Sequence, residues 1–171
     1  MTVPAQPTPH PLEAFVGTWS GTGQGSYPTI ASFGYHEEIT IATVPGKPFL
    51  AYTQRTRAED DGRPLHAESG YWRCSPAATP GDPLGVELVL AHPTGIVEVL
   101  EGTGSTGDGP RVVELRSTTV AGSGTAKRVD ATARRFEIGG DGDELRYTVA
   151  MAAVGQPLTH HLAATLRRVR A

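Results

Sequence analysis

Between Thr18 and Val169 the chain alternates apolar and polar side chains over short stretches, each closed by Gly, Pro, Asp or Ser. A period of two is the signature of a β-strand with one face toward a core, and the enrichment in Val, Ile, Thr, Leu and aromatic residues agrees with it. Residues 143–151 show it most clearly, with Leu145, Tyr147, Val149 and Met151 on one face and Glu144, Arg146 and Thr148 on the other. The pattern predicts ten strands, near 18–25, 34–44, 49–58, 65–75, 85–91, 95–104, 110–119, 127–138, 143–151 and 159–169. Pro45-Gly46, Asp61-Gly62, Pro80-Gly81-Asp82, Thr94-Gly95, Gly107-Asp108-Gly109, Gly122-Ser123-Gly124 and Gly139 to Gly142 separate them, and such residues favour the turns of sequential hairpins.

Ahead of the strands, Leu12, Phe15 and Val16 have the spacing of one short helical turn closed by Gly17, placed to plug one end of a β structure. Residues 1–11 are proline-rich and read as an extended or disordered N-terminal segment, which leaves 12–171 as one domain. Strands joined by hairpins leave an all-β sandwich or a closed antiparallel up-and-down barrel as the economical architectures, and closure, which removes exposed strand edges, makes the barrel the expected fold. About ten strands make a barrel wider than the eight that side chains just fill, so an internal ligand cavity is expected.

The 171 residues fit one domain of ordinary size. The net charge of -3 and a pI of about 6.0 leave no cationic surplus for nucleic acid or an anionic membrane, so neither is an expected partner. Cys74 is the only cysteine, which excludes an intramolecular disulfide framework and a cysteine-based zinc site. With no basic-then-apolar leader and no apolar run approaching about 18 residues, the expected location is the cytoplasm. No phosphate-binding glycine loop, Cys-x-x-Cys pair or serine nucleophile elbow is present, which removes the nucleotide-enzyme and hydrolase readings.

The first strand opens with Gly17-Thr18-Trp19-Ser20-Gly21-Thr22-Gly23, a G-x-W-x-G-x-G pattern in which Trp19 is a large anchor for a barrel end. Gly21 and Gly23 permit bending or close approach of another segment. Further along stand Tyr27-Pro28-Thr29-Ile30, the run from His66 to Arg73, the run from Thr94 to Val99, and Met151 through Leu162. In this order, from about residue 12 to 169, these segments resemble the nitrobindin family. The resemblance implies a ten-stranded barrel that holds one haem b per chain as ferric iron, with a His-Leu pair in the last strand as the source of the axial ligand. That histidine is His161, followed by Leu162. Thr29 and Lys127 are implied as haem contacts, through a hydroxyl near the cavity mouth and a charge beside a propionate. The implied activities are isomerisation of peroxynitrite to nitrate and binding of NO, both small-molecule ligands.

Alternation alone does not choose the histidine. A regular last strand puts Thr159, His161, Ala163 and Thr165 on one face, and His160, Leu162, Ala164 and Leu166 on the other, where the leucines look like core. His66 and His92 lie at or near strand edges and are candidate cavity residues, and Glu68 shares a face with His66. Tyr71 and Trp72 read as packing residues. Two other functions compete with the enzyme: a non-catalytic NO sensor or carrier, and a lipocalin-like barrel that carries an apolar small molecule.

Overall fold

In the computed structural model, which describes residues 10–75, 82–105 and 111–170, the alternating stretches form β1 (Gly17–Tyr27), β2 (Ile30–Thr43), β3 (Phe49–Ala58), β4 (Pro64–Ser75), β5 (Leu84–Ala91), β6 (Ile96–Gly104), β7 (Arg111–Gly122), β8 (Val129–Ile138), β9 (Glu144–Ala153) and β10 (Thr159–Arg168). Each strand pairs antiparallel with its sequence neighbours, and β1 closes on β10 to complete the expected barrel. In such a meander the connections β1–β2, β3–β4, β5–β6, β7–β8 and β9–β10 gather at one end, here called the mouth. No helix among the described residues is long and apolar enough to cross a membrane.

The opposite end is plugged. Glu13–Phe15 forms a 3-10 turn, where the sequence placed a helical one, and buries Leu12 and Phe15. Phe15 stacks on the buried Trp72 at 5.7 Å, and its carbonyl accepts a 2.9 Å hydrogen bond from Trp19 Nε1. The Arg168 guanidinium lies 4.1 Å from the centre of the Trp19 ring and donates to the carbonyls of Ala14, Val16 and Gly142. A charged head stacked on an aromatic face while satisfying exposed carbonyls ties the turn to β10. Gly17 sits at φ +146, and a Cβ there would stand 2.6 Å from Arg168 Nη1.

The glycines of the opening motif make room for neighbours. A Cβ at Gly21 would lie 2.3 Å from the Thr165 carbonyl oxygen, and one at Gly23 would lie 2.3 Å from the Tyr35 ring. The first is a close approach of backbone, the second of an aromatic side chain.

Several boundaries differ from the sequence reading. β1 and β2 run on to a two-residue hairpin at Pro28-Thr29, with Tyr27 paired to Ile30, where a longer loop was expected. β7 reaches Gly122 and β8 begins at Val129, so Lys127 lies in the exposed connection and does not open the strand. β7 and β8 pair only from Arg111↔Ile138 to Arg116↔Ala133. Beyond that point Ser117 Oγ accepts from the Thr132 amide at 2.9 Å in place of a ladder bond. Along β9 the alternation holds for Leu145, Tyr147 and Val149 but lapses at Met151, which is only partly buried, because the ladders on both sides slip there. The expected turns at Pro80-Gly81 and Gly107-Asp108-Gly109, and the first nine residues, lie outside the described residues.

Gly21→Ala forces a Cβ against backbone and is expected to destabilise the barrel by about 1–3 kcal/mol, by over-packing. Gly124→Ala meets nothing within 4 Å and is expected to stay within about 0.5 kcal/mol of the parent. Urea denaturation of both variants reads the contrast.

Candidate functional site

The inward residues change character along the barrel. Toward the plug they are apolar, with Trp19, Ile41, Leu50, Trp72, Val86 and Phe136 all buried. Closer to the mouth the same inward positions carry Glu37, Gln54, Glu68, Glu98, Thr132 and Arg134, also buried, together with Tyr35, Tyr52 and Tyr147. Strand alternation puts these polar groups inside, so they must find partners across the lumen.

They find them in two linked sets. Arg134 Nη1 donates to Glu68 Oε1 at 2.7 Å, and Nη2 donates to Glu68 Oε2 at 3.0 Å and to Glu98 Oε1 at 3.1 Å. Tyr52 donates to Glu68 Oε1 at 2.9 Å, and the Thr132 hydroxyl donates to Glu98. In the second set Tyr147 donates to Glu37 Oε1 at 2.9 Å, Gln54 Nε2 donates to Glu37 and to Tyr147 Oη, and Tyr35 bonds Tyr147 at 3.1 Å.

The two acids respond oppositely. Burial pulls the Glu68 carboxyl upward, but the Arg134 charge and the hydrogen bonds from Arg134 and His66 outweigh it and hold the group well below the usual range. Glu37 has no such cation against it, and burial pushes it up to about 7 despite the bonds from Gln54 and Tyr147.

The mouth holds the candidate ligands. β10 pairs with β9 at His160↔Ala150 and next at Leu162↔Val149, so His161 is the extra residue of a β-bulge. The expectation of a regular strand, with His161 on the face of Ala163 and Thr165, is therefore corrected. The bulge interrupts alternation, so Leu162 packs against the core with Ala164 and Leu166, and His161 turns to the mouth while His160 points out. His160 lines an outer groove of about 420 Å³ with Glu101, Arg116, Arg135 and Thr148, over the last paired rungs of β7 and β8.

His161 Nδ1 lies 3.0 Å from the Ser26 carbonyl oxygen, and its ring stands edge-on to the buried Tyr27 at 5.3 Å. A carbonyl only accepts, so Nδ1 carries the proton and Nε2 keeps its lone pair. Burial lowers the His161 pKa, the Ser26 bond opposes this, and the nearby charge of His66 adds to the lowering. Tyr27 is pinned in turn, donating to the Met151 carbonyl at 3.0 Å and accepting from the Ala153 amide at 2.9 Å.

Of the other expected residues, Thr29 is exposed in the hairpin that also carries Ser26 and Tyr27, and Lys127 is exposed at the same end and forms no ion pair among the described residues. His66 and His92 come together, with His66 Nε2 3.3 Å from His92 Nδ1, and the His66–Glu68 pair forms at 3.3 Å. Trp72 is core, but Tyr71 lies on the outer wall, where it is half exposed and edge-on to Phe49. Glu37, Gln54, Glu98 and Arg134 were missed by sequence reasoning. Their signal is a polar residue in the inward register, as in Tyr35-x-Glu37-x-Ile39-x-Ile41.

A closed barrel with an apolar plug at one end and an imidazole presented at the other is a ligand-binding barrel. Residues 9–168 match the THAP4-like, heme-binding beta-barrel domain, and the chain belongs to that family, as the nitrobindin-like motifs implied. A protein of Nocardia farcinica named peroxynitrite isomerase is 51% identical over 176 residues, covering 98% of this chain and 99% of that one. Peroxynitrite isomerase 1 of Mycobacterium tuberculosis is 51% identical over 177 residues, covering 99% of this chain and all of the relative. The crystal structure of Rv2717c from M. tuberculosis superimposes with a TM-score of 0.82 at 52% identity, covering 93% of this chain and 95% of that one.

Two outcomes are expected of the polar layer. Arg134→Met leaves two carboxylates buried without their cation and is expected to destabilise by about 3–5 kcal/mol in urea denaturation. Glu37 titrates near 7 when folded against 4.5 as its ordinary value, so across that window the folded chain keeps a proton the unfolded chain has lost, and stability falls as pH rises. Glu37→Gln removes this loss, and its stability relative to the parent is expected to grow by about 1–3 kcal/mol between pH of about 4.5 and 8.

Proposed function

We propose that the chain binds one ferric haem b through His161 and isomerises peroxynitrite to nitrate in the cytoplasm, with NO as a second ligand. The observation that carries this reading is the state of His161: its Nδ1 is held by a backbone carbonyl, and its Nε2 keeps a lone pair at the barrel mouth. A metal-ligating imidazole is ordinarily held this way, by an outer partner that fixes the tautomer and the ring plane. Lowering of its pKa by burial keeps the ring neutral, the form that ligates.

The surroundings fit a flat apolar group. Tyr27 and Leu162 flank the histidine, and the Phe33 ring covers β1 at Gly25, where a Cβ would meet it at 2.2 Å. A crevice of about 290 Å³ opens next to the β3–β4 turn at this end, apolar at Phe33, Ala58 and Leu65 and charged at Glu59, Asp60 and Arg63. Bound at His161, haem would supply a Lewis-acidic iron able to take a small anion or NO. The chain contributes the rest: Ser26 orients His161, Tyr27 covers one side of its ring, and Thr29 and Lys127 stand at the rim to meet propionates. Family membership and the names of relatives matched over nearly their whole length support the reaction.

His161→Ala is expected to lose the Soret band on addition of ferric haem while His160→Ala keeps it, and the reverse pattern sinks the assignment. Ferric protein is expected to accelerate peroxynitrite decay in stopped flow over the haem-free chain. Equal decay ends the enzyme reading, and reversible NO spectra without that acceleration make the protein an NO carrier. Lys127→Ala is expected to speed haem dissociation about 2- to 5-fold, the scale of an exposed ion pair.

A further inference from the structure

The geometry points to a second site, for a divalent transition-metal ion, on His66, Glu68 and His92 inside the mouth. Their donor atoms form a nearly equilateral triangle: His66 Nε2 to His92 Nδ1 is 3.3 Å, His66 Nε2 to Glu68 Oε2 is 3.3 Å, and His92 Nδ1 to Glu68 Oε2 is 3.5 Å. Bonds of about 2.0–2.1 Å to a tetrahedral Zn²⁺ put neighbouring ligand atoms about 3.3–3.4 Å apart, so the three atoms already stand at the corners of one tetrahedral face.

The protons do not account for this triangle. His92 Nε2 lies 2.8 Å from Glu98 Oε1, close but not aligned as a hydrogen bond; the carboxylate there favours the ring proton on Nε2, and that tautomer leaves the His92 Nδ1 lone pair facing the trio. Glu68, held ionised by Arg134, adds only lone pairs. Arg134 Nη2 donates to Glu68 Oε2 from outside at 3.0 Å, and within the trio His66 Nε2 is then the one atom able to bring a proton, which serves three mutual contacts poorly. A cation at their centre would satisfy all three. Charge agrees: Glu68 and Glu98 outnumber Arg134 by one negative charge in a buried cluster.

The outer partners are those of a built metal site. Glu98, which stands 2.8 Å behind His92 Nε2, is fixed by Arg134 and Thr132, and Glu68 Oε1 is fixed by Arg134 and Tyr52. A carboxylate behind a ligating histidine orients the ring and is ordinarily worth about 10- to 100-fold in metal affinity. The His66 side chain is 32% exposed, which gives an ion access from the mouth and leaves the fourth position for water or a small anion. Two imidazoles and one carboxylate suit Zn²⁺ or Fe²⁺ better than Mg²⁺ or Ca²⁺. His161 is not a ligand of this site, so the inference does not rest on the haem reading.

Zn²⁺ titrated calorimetrically into the full haem-loaded chain is expected to bind at one equivalent. His66→Ala and His92→Ala are each expected to weaken binding about 100-fold or more, and Glu98→Gln about 10-fold. His161→Ala, titrated without haem, is expected to keep the zinc. X-ray absorption at the zinc edge of the unmutated protein is expected to count two imidazoles, a readout that holds even if His92→Ala fails to fold. Absence of saturable binding, wild-type affinity in His66→Ala, loss in His161→Ala, or a zinc ion with one imidazole or none would each overturn the site.

Discussion

The contact on which the mouth depends is the bidentate pairing of Arg134 with Glu68 across the lumen, shared with Glu98. Past Ala133, β8 has no ladder partner in β7, and a strand edge without its ladder is ordinarily free to fray. Here the edge is held from inside. Arg134, at the last rungs of the ladder, ties β8 to β4 and β6, and Thr132 continues the tie through its hydroxyl to Glu98 and its amide to Ser117. Burying a guanidinium and two carboxylates carries a desolvation penalty that a hydrophobic lumen would avoid, so the cluster is weak support for stability as such. What it supplies is position: three strands that do not pair with one another are fixed by directional bonds at one level of the barrel.

That level divides the interior. On the plug side, Phe15, Trp19 and Trp72 close the barrel with apolar contact and a cation over an aromatic face. On the mouth side, polar side chains are fixed and the strands change register, β2 opposite Gly25 and Tyr27, β10 at His161 and β8 after Val129. Irregularity is therefore concentrated where the candidate ligand residues stand, and the rigid layer beneath permits it. A bulge at a barrel rim re-aims one side chain while leaving the strand paired on either side, as happens to His161.

The fold was legible because one face of nearly every strand is buried, so alternation survives in the sequence and turn residues punctuate it. The histidine was not legible from pattern, since an inserted residue inverts the alternation and a period-two reading then assigns His161 to the wrong face. Resemblance to a family supplied what periodicity could not. The polar layer was half legible: Glu37 or Arg134 is visible as a polar residue in an apolar register, and the His66–Glu68 pair follows from spacing. That Arg134 meets Glu68 is not visible, because β4 and β8 are not neighbours in the sheet and only the curvature of the closed wall brings them face to face.

Two sets of imidazoles share the mouth, and their partners separate their chemistry. His161 is held by a carbonyl, which fixes a tautomer without adding charge, and it stands against Tyr27 and beside Leu162. A neutral donor in an apolar setting suits an iron whose charge is already largely balanced by its macrocycle. His66 and His92 are backed by Glu68 and Glu98, which bring two negative charges to within about one bond of the rings. Negative charge held that close to paired lone pairs favours a bare dication, and a carbonyl alone would not supply it. The carboxylates that anchor β8 through Arg134 are thus the same groups that give the histidine pair its distinct ligand preference.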